Sequence, residues 1–267
     1  MFLCIDIGGT KTLLALLSAD GKILHAIKFP TIDDQDKFYA TLKRQIQVNF
    51  VLAKVKAISV AMPGIVKRNK ATYLGNLSWQ DFDLAMLLQQ DFAKPVFIEN
   101  DANLAALAEA RHCTGRSLYL TFSTGIGGGI VEDGRLIQRY RDFEPGHYEY
   151  VHHGQKSEWE DLAAASAINR TYGKLVNDIT DPTAWQDIVE RILLGLIPIT
   201  STIKPARIIF GGPLGLMLNH YRVNLRRALD HELPVSVKRP RLLVAKYGSY
   251  SVIYGSYFYA KAQLARR

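Results

Sequence analysis

The chain has 267 residues, 48% of them hydrophobic and 22% charged, with a formal charge of +8. That composition supports a sizeable core and excludes wholesale disorder. It holds no run of about 18 apolar residues, which excludes a membrane-spanning helix, and its two cysteines, Cys4 and Cys113, exclude a disulfide framework or a cysteine-built zinc site.

In chain order, residues 3–8 form an apolar run that predicts a strand ending at Gly8-Gly9. Residues 10–18 predict a second strand, and Asp20-Gly21 before 22–24 is a hairpin signal. Phe38, Leu42 and Ile46, spaced by four, place an amphipathic helix over 35–50. A strand over 57–61 stops at Pro63-Gly64, a helix is expected over 83–92, and a buried strand over 95–98 runs into Glu99-Asn100-Asp101. An alanine- and leucine-rich helix follows over 102–112. From Leu118 the opening pattern returns: a strand, a glycine turn at Thr124-Gly125, a strand over 126–132, Asp133-Gly134, and a strand over 135–137. Helices are expected over 158–175 and 184–203, the second bent near Pro198. A strand over 207–210 meets Gly211-Gly212, a helix over 213–230 carries Pro213 near its first position, and a last helix covers 251–264. Alternating strands and helices predict an α/β fold. The repeated unit predicts two lobes of one architecture.

The positive residues are scattered. Their densest group, Arg222, Arg226, Arg227, Lys238, Arg239 and Arg241, reads as a solvated face rather than a binding patch. Zinc-finger spacing and RNP-type aromatic strings are absent, so neither nucleic acid nor a membrane is an expected partner. Met1 is followed at once by Phe2-Leu3-Cys4-Ile5 with no basic region, so no signal peptide is expected and a reduced, cytoplasmic setting is. Tyr250, Tyr254, Tyr257 and Phe258 fall at helical spacing and read as core or as the contact of a homodimer.

The glycine turns carry the chemistry. Asp6-Ile7-Gly8-Gly9-Thr10-Lys11 joins two predicted strands. Glycine lets backbone N–H groups approach an anion closely, while Thr10 and Lys11 add a hydroxyl and a charge. This is no Walker loop, because G-x-x-x-x-G-K-S/T is absent and a strand follows. Residues 123–129 also run into a strand, which excludes a dinucleotide fingerprint. A tight hairpin needs glycine without any ligand. Two such turns opening matched hairpins, with Gly211-Gly212 after another strand, exceed that need. Asn100-Asp101 lies at a strand end, where α/β sheets bind ligands; Asp101 is equally suited to cap the helix that follows. Gly146 can aim Glu144 and His147 one way, and Glu160 follows on the next expected helix.

In order along the chain, these segments resemble the ROK sugar kinases. Asp6-Ile7-Gly8-Gly9-Thr10-Lys11 is similar to their first phosphate motif, Glu99-Asn100-Asp101-Ala102-Asn103 to their catalytic segment, and Thr124-Gly125-Ile126-Gly127-Gly128-Gly129 to their second phosphate motif. Glu144-Pro145-Gly146-His147 is similar to their E-x-G-H sugar motif, and Ile208-Ile209-Phe210-Gly211-Gly212 to a strand and glycines near the nucleotide. The resemblance implies an actin-like ATPase (ribonuclease H-like) fold, with two similar lobes around a cleft that takes sugar and ATP. It implies a first lobe of residues 1–112 completed by 251–267, and a second of 113–250. Asp101 would be the general base, and Asn76, Asn100, Glu144, His147 and Glu160 would bind sugar hydroxyls. Gly8, Gly9, Thr10, Lys11, Thr124 and Gly125 would hold phosphates bridged by Mg²⁺ with Asp6 nearby, and Gly211 and Gly212 would line the nucleotide. The implied reaction is ATP-dependent phosphorylation of a hexose, glucose-type by preference. The alternatives are an N-acetylhexosamine kinase and a non-catalytic sugar-binding regulator.

One departure is plain. Most members carry C-x-C-G-x-x-G-C-x-E after E-x-G-H and bind zinc there with the motif's histidine. Residues 154–160 hold no cysteine, although Glu160 matches the final glutamate. No structural zinc is therefore expected. His152 and His153, adjacent on an expected strand, should point apart and chelate poorly. A protein hydrogen bond should orient His147 instead, with Trp159 anchoring the shortened loop.

Overall fold

The computed structural model describes residues 1–75 and 77–266, the side chain of Tyr73 excepted. The chain divides into two compact units: Met1–Ala108 joined by the tail from Tyr250, and Glu109–Ser249.

In the first unit, β1 (Phe2–Ile7) pairs antiparallel with β2 (Lys11–Leu17), which pairs antiparallel with β3 (Ile23–Pro30). Helix α1 (Gln35–Asn49) is capped by Asp34, whose side chain accepts from the N–H groups of Asp36 and Lys37. It buries Phe38, Leu42 and Ile46, the residues that its spacing selects. Strand β4 (Ala57–Met62) then lies parallel to β1, followed by the small hairpin β5 (Ile65–Lys67) and β6 (Lys70–Tyr73). Helix α2 (Leu84–Phe92) leads to β7 (Val96–Asn100), parallel to β4, and to α3 (Asp101–Ala110). Both β4 and β7 are buried at every position, as strands of a covered parallel sheet are. The sheet order is β3-β2-β1-β4-β7.

The second unit repeats the plan. β8 (Arg116–Phe122), β9 (Ile126–Glu132) and β10 (Arg135–Leu136) form the antiparallel half of a sheet. The hairpin β11 (Glu149–His152) and β12 (Gln155–Glu158) precedes α4 (Trp159–Ala163), α5 (Ala165–Tyr172) and α6 (Pro182–Ile203). Strand β13 (Arg207–Gly211) pairs parallel with β8; α7 (Gly212–Met217) and α8 (Arg222–Glu232) lead to β14 (Arg241–Val244), parallel to β13. The order β10-β9-β8-β13-β14 reproduces that of the first sheet, with hairpin strands on one side and parallel strands on the other. Helix α9 (Ser251–Leu264) packs on the first sheet, setting Ile253, Tyr257 and Ala260 against Phe2, Cys4, Leu17 and Phe97. Among the described residues, no helix is long and apolar enough to cross a membrane.

Two expected helices are broken. The segment 158–175 is β12, α4 and α5, with Ala164 extended at ψ 154° between the helices. The break serves a tertiary contact: Ser166 donates from its N–H to Ser123 O and from its hydroxyl to Thr124 O, tying α5 to the second glycine turn. The segment 213–230 parts into α7 and α8. Tyr221, at the break, stacks on Trp185 of α6 at 3.7 Å between centroids.

Candidate active site

In the first unit the parallel strands end together. Asp6 on β1 stands opposite Ala61 on β4, and Met62 on β4 opposite Asn100 on β7. Strand ends of this kind are where side chains can meet a ligand without breaking the sheet. Burial, then the charge of Asp101, push the Asp6 pKa up to about 7 against the pull of Lys28. Burial pushes Asp101 up to about 6, although its Oδ1 accepts the Ala102 N–H at 2.7 Å. A carboxylate titrating there can take a proton and release it near neutral pH.

The cap of α3 falls to Asn100. Its Oδ1 accepts from Asn103 N–H at 2.9 Å, and its Nδ2 donates to Gly64 O at 2.7 Å. Beneath it lies Glu99, wholly buried, whose Oε1 accepts from Asn100 N–H and Asn103 Nδ2. The capping role that sequence alone leaves open for Asp101 is therefore filled by its neighbour. Asn100 is itself only 3% exposed and engaged at both ends of its amide.

The first glycine turn is tied from outside by Thr31, a residue that sequence reading passes over. Thr31 donates its hydroxyl to Gly8 O at 2.7 Å and its N–H to Thr10 O at 3.0 Å, while Gly8 N–H closes onto Lys11 O. Gly9, Thr10 and Lys11 are exposed. A Cβ on Gly9 would meet nothing within 4 Å, and its φ is not left-handed. Neither packing nor backbone strain demands glycine there. At Gly211 packing does, because a Cβ would overlap the Tyr119 hydroxyl; at Gly212 both do, with φ 73° and Phe122 O in the way.

In the second unit, the structure gathers the second glycine turn, the E-x-G-H segment and Glu160. Glu160 Oε2 accepts the Ile126 N–H at 3.2 Å. It can do so because Gly125 and Gly146 carry no side chain: a Cβ on either would stand 2.5–2.6 Å from that oxygen. His147 Nδ1 is 2.8 Å from Glu158 Oε2 and 4.0 Å from Glu160 Oε1. The bond to Glu158, then the charges of Glu160 and Glu144, raise the His147 pKa against partial burial. Glu158 went unassigned in the sequence, where only its place two residues before Glu160 hints at the pairing. Trp159 between them is wholly buried; it donates from Nε1 to Arg191 O at 3.1 Å and fills the space above Gly195 of α6. Thr124 is exposed at the turn, and Glu144 is half-buried just before the short helical turn Pro145–His147. Asn76 lies outside the described residues.

His152 and His153, expected from strand alternation to point apart, instead lie together. His152 ends β11, but His153 has φ 49° and begins the turn to β12, so the chain reverses between them. Their rings come to 4.0 Å, centroid to centroid.

Comparison with known proteins agrees with this architecture. The ROK family matches residues 2–263. A fructokinase of Zymomonas mobilis is 31% identical over 240 residues, covering 78% of this chain and 78% of its own length. A fructokinase of Streptococcus mutans is 29% identical, covering 86% of this chain and 87% of its own. A ROK family glucokinase of Streptomyces griseus, solved in complex with glucose and AMPPNP, superposes with a TM-score of 0.82 at 23% identity, over 98% of this chain and 99% of that one. The duplicated sheets are thus the actin-like ATPase fold. A match from the first strand to the last helix, on a sheet plan used twice, makes the chain a member of the ROK family.

Proposed function

We propose that the chain is an ATP-dependent sugar kinase and that Asp101 is its general base. The observation that carries the reading is Asp101 itself: a strand-end carboxylate beside Asp6, relieved of capping by Asn100, with its pKa pushed up to about 6. Asp101 would take the proton of a sugar hydroxyl as the hydroxyl oxygen attacks the γ-phosphorus. The bond from that phosphorus to the β–γ bridging oxygen breaks, and ADP leaves. Positioning and charge stabilisation supply most of the remaining rate in such transfers. The relatives named as fructokinases and glucokinase support a hexose acceptor, with fructose and glucose the first to try and the N-acetylhexosamines next.

Glu144, His147 and Glu160 would bind sugar hydroxyls, and Asn100 would hold the strand end that presents Asp101 to them. Gly8, Gly9, Thr10 and Lys11, with Thr124 and Gly125, would hold phosphates; Gly211 and Gly212 would border the nucleotide. Asp6 suits Mg²⁺, because a buried oxygen donor whose pKa is raised by burial and then by a second carboxylate is relieved by a hard cation. When bound, the ion would neutralise phosphate charge.

A coupled assay of ADP release over fructose, glucose, mannose, N-acetylglucosamine and N-acetylmannosamine tests the reading. Release above background is expected with at least one sugar, with kcat/KM rising through about pH 6 as Asp101 ionises. Silence with every sugar would remove the kinase, and a flat profile from pH 5 to 7 would remove Asp101 as base. Gly9→Ala separates ligand approach from folding. Stability should stay within about 0.5 kcal/mol, because the site around Gly9 is open. The KM for ATP should rise about tenfold, equivalent to roughly 1.4 kcal/mol of binding.

A further inference from the structure

The hairpin β11–β12 turns on His153-Gly154, both left-handed at φ 49° and 77°. Two-residue hairpins ordinarily give those places to Asn-Gly. Here the turn brings the His153 ring onto His152, and Asp187 of α6 completes a cluster. A ring nitrogen of each histidine and a carboxylate oxygen of Asp187 lie within 4.8 Å of one another. Two further observations point to a ligand. His152 Nε2 is enclosed yet has no hydrogen-bond partner, a state that native proteins seldom leave unmatched. Asp187 Oδ2 accepts from Tyr172 OH at 2.6 Å and from Arg191 Nε at 2.7 Å, which fixes the carboxylate in place as supporting hydrogen bonds fix a metal-binding carboxylate.

We propose that His152, His153 and Asp187 bind one divalent transition-metal ion of the zinc class, which staples the hairpin tip to α6. Two imidazoles and a carboxylate suit Zn²⁺, Co²⁺ or Ni²⁺, whereas Mg²⁺ and Ca²⁺ favour oxygen alone. Ligand atoms about 2.0–2.2 Å from a tetrahedral ion lie about 3.4 Å apart, so three atoms already within 4.8 Å of one another need only a small closure, and water takes the fourth position. Counted back from Glu160, His153 stands where the cysteine motif has its second cysteine, but His152 and Asp187 fall at none of its ligand positions, and His147 is already bonded to Glu158. Arg191 links the staple to the loop beside it: its side chain holds Asp187, and its carbonyl accepts Trp159 Nε1. The inference does not rest on the kinase reading.

The test uses the untagged full chain, stripped with a chelator and dialysed against Zn²⁺, with Co²⁺ absorbance as a second readout. About one Zn²⁺ per chain and a rise of a few degrees in Tm are expected. His153→Asn, which keeps the turn, and Asp187→Asn should each weaken binding by at least about tenfold, while His147→Asn and Glu158→Gln leave it unchanged. Failure of the stripped wild type to take up Zn²⁺ overturns the site. So does unchanged binding in His153→Asn, or binding that follows His147 and Glu158 instead. Should Asp187→Asn fold poorly without metal, His153→Asn decides alone.

Discussion

Asp101→Asn should lower kcat by roughly 10²-fold or more, with sugar affinity changed much less, since base catalysis typically contributes about 10²–10⁴-fold. Steady-state kinetics with a separate sugar-binding titration measure both quantities. The geometry makes the variant a clean probe. Asn100 carries the α3 cap, and the amide oxygen of Asn at position 101 can still accept the Ala102 N–H that Oδ1 accepts in the wild type. Stability should therefore survive. Its pH dependence has a definite sign. The folded-state pKa of Asp101 is raised, to about 6 from the ordinary 3.8. The stability linked to this group is thus full below about pH 4 and lost as pH rises through about 6. The asparagine variant has no such loss, so at pH 7 it should be no less stable than the wild type in urea. It should also let Asp6 ionise more readily, because the charge of Asp101 is one cause of the raised Asp6 pKa. Near-wild-type turnover would show that Asp101 is not the base, whatever the stability.

The features legible in the sequence were local ones. Apolar periodicity marked α1 through Phe38, Leu42 and Ile46, and Asp-Gly signals marked both hairpins that open the two sheets. Repetition of that unit alone points to the duplication that the two matching sheets display. What stayed hidden depended on residues distant in the chain. Ala164 leaves the helix because Ser166 is bonded to Ser123 and Thr124, a contact that no propensity encodes. Tyr221 interrupts an expected helix where it stacks on Trp185. The β11–β12 hairpin was missed because its turn is written His-Gly rather than Asn-Gly, and with it the pairing of Glu158 to His147. The glycines divide the same way. Sequence marks Gly9, Gly125, Gly146 and Gly211 alike, but only the structure separates the open Gly9 from Gly211, which Tyr119 crowds.

Gly146→Ala should raise the sugar KM by at least about tenfold, or roughly 1.4 kcal/mol of binding. It should also destabilise the fold by about 1–3 kcal/mol, the usual cost of overpacking. In the sequence this glycine reads as a hinge that aims Glu144 and His147 together. In the structure it has a sharper duty. Gly146 is buried, and a Cβ there would stand 2.5 Å from the carbonyl of Ile126 and 2.6 Å from Glu160 Oε2. The carboxylate can swing away, but the carbonyl belongs to a strand of the second sheet and yields only by moving backbone. Displacing Glu160 would strip the Ile126 N–H of its acceptor and draw the carboxylate away from His147, which it approaches to 4.0 Å. Gly125→Ala separates the two effects. The three atoms nearest its Cβ would all belong to the Glu160 carboxylate, at 2.5, 3.3 and 3.7 Å, with no backbone as close. That variant should therefore weaken sugar binding comparably while costing less stability. Sugar titrations and urea unfolding of both variants, run side by side, decide the matter. A wild-type sugar KM in Gly146→Ala would mean that the position of Glu160 is irrelevant to the acceptor. Equal stability losses in both variants would mean that the Ile126 carbonyl is not what makes Gly146 costly to replace.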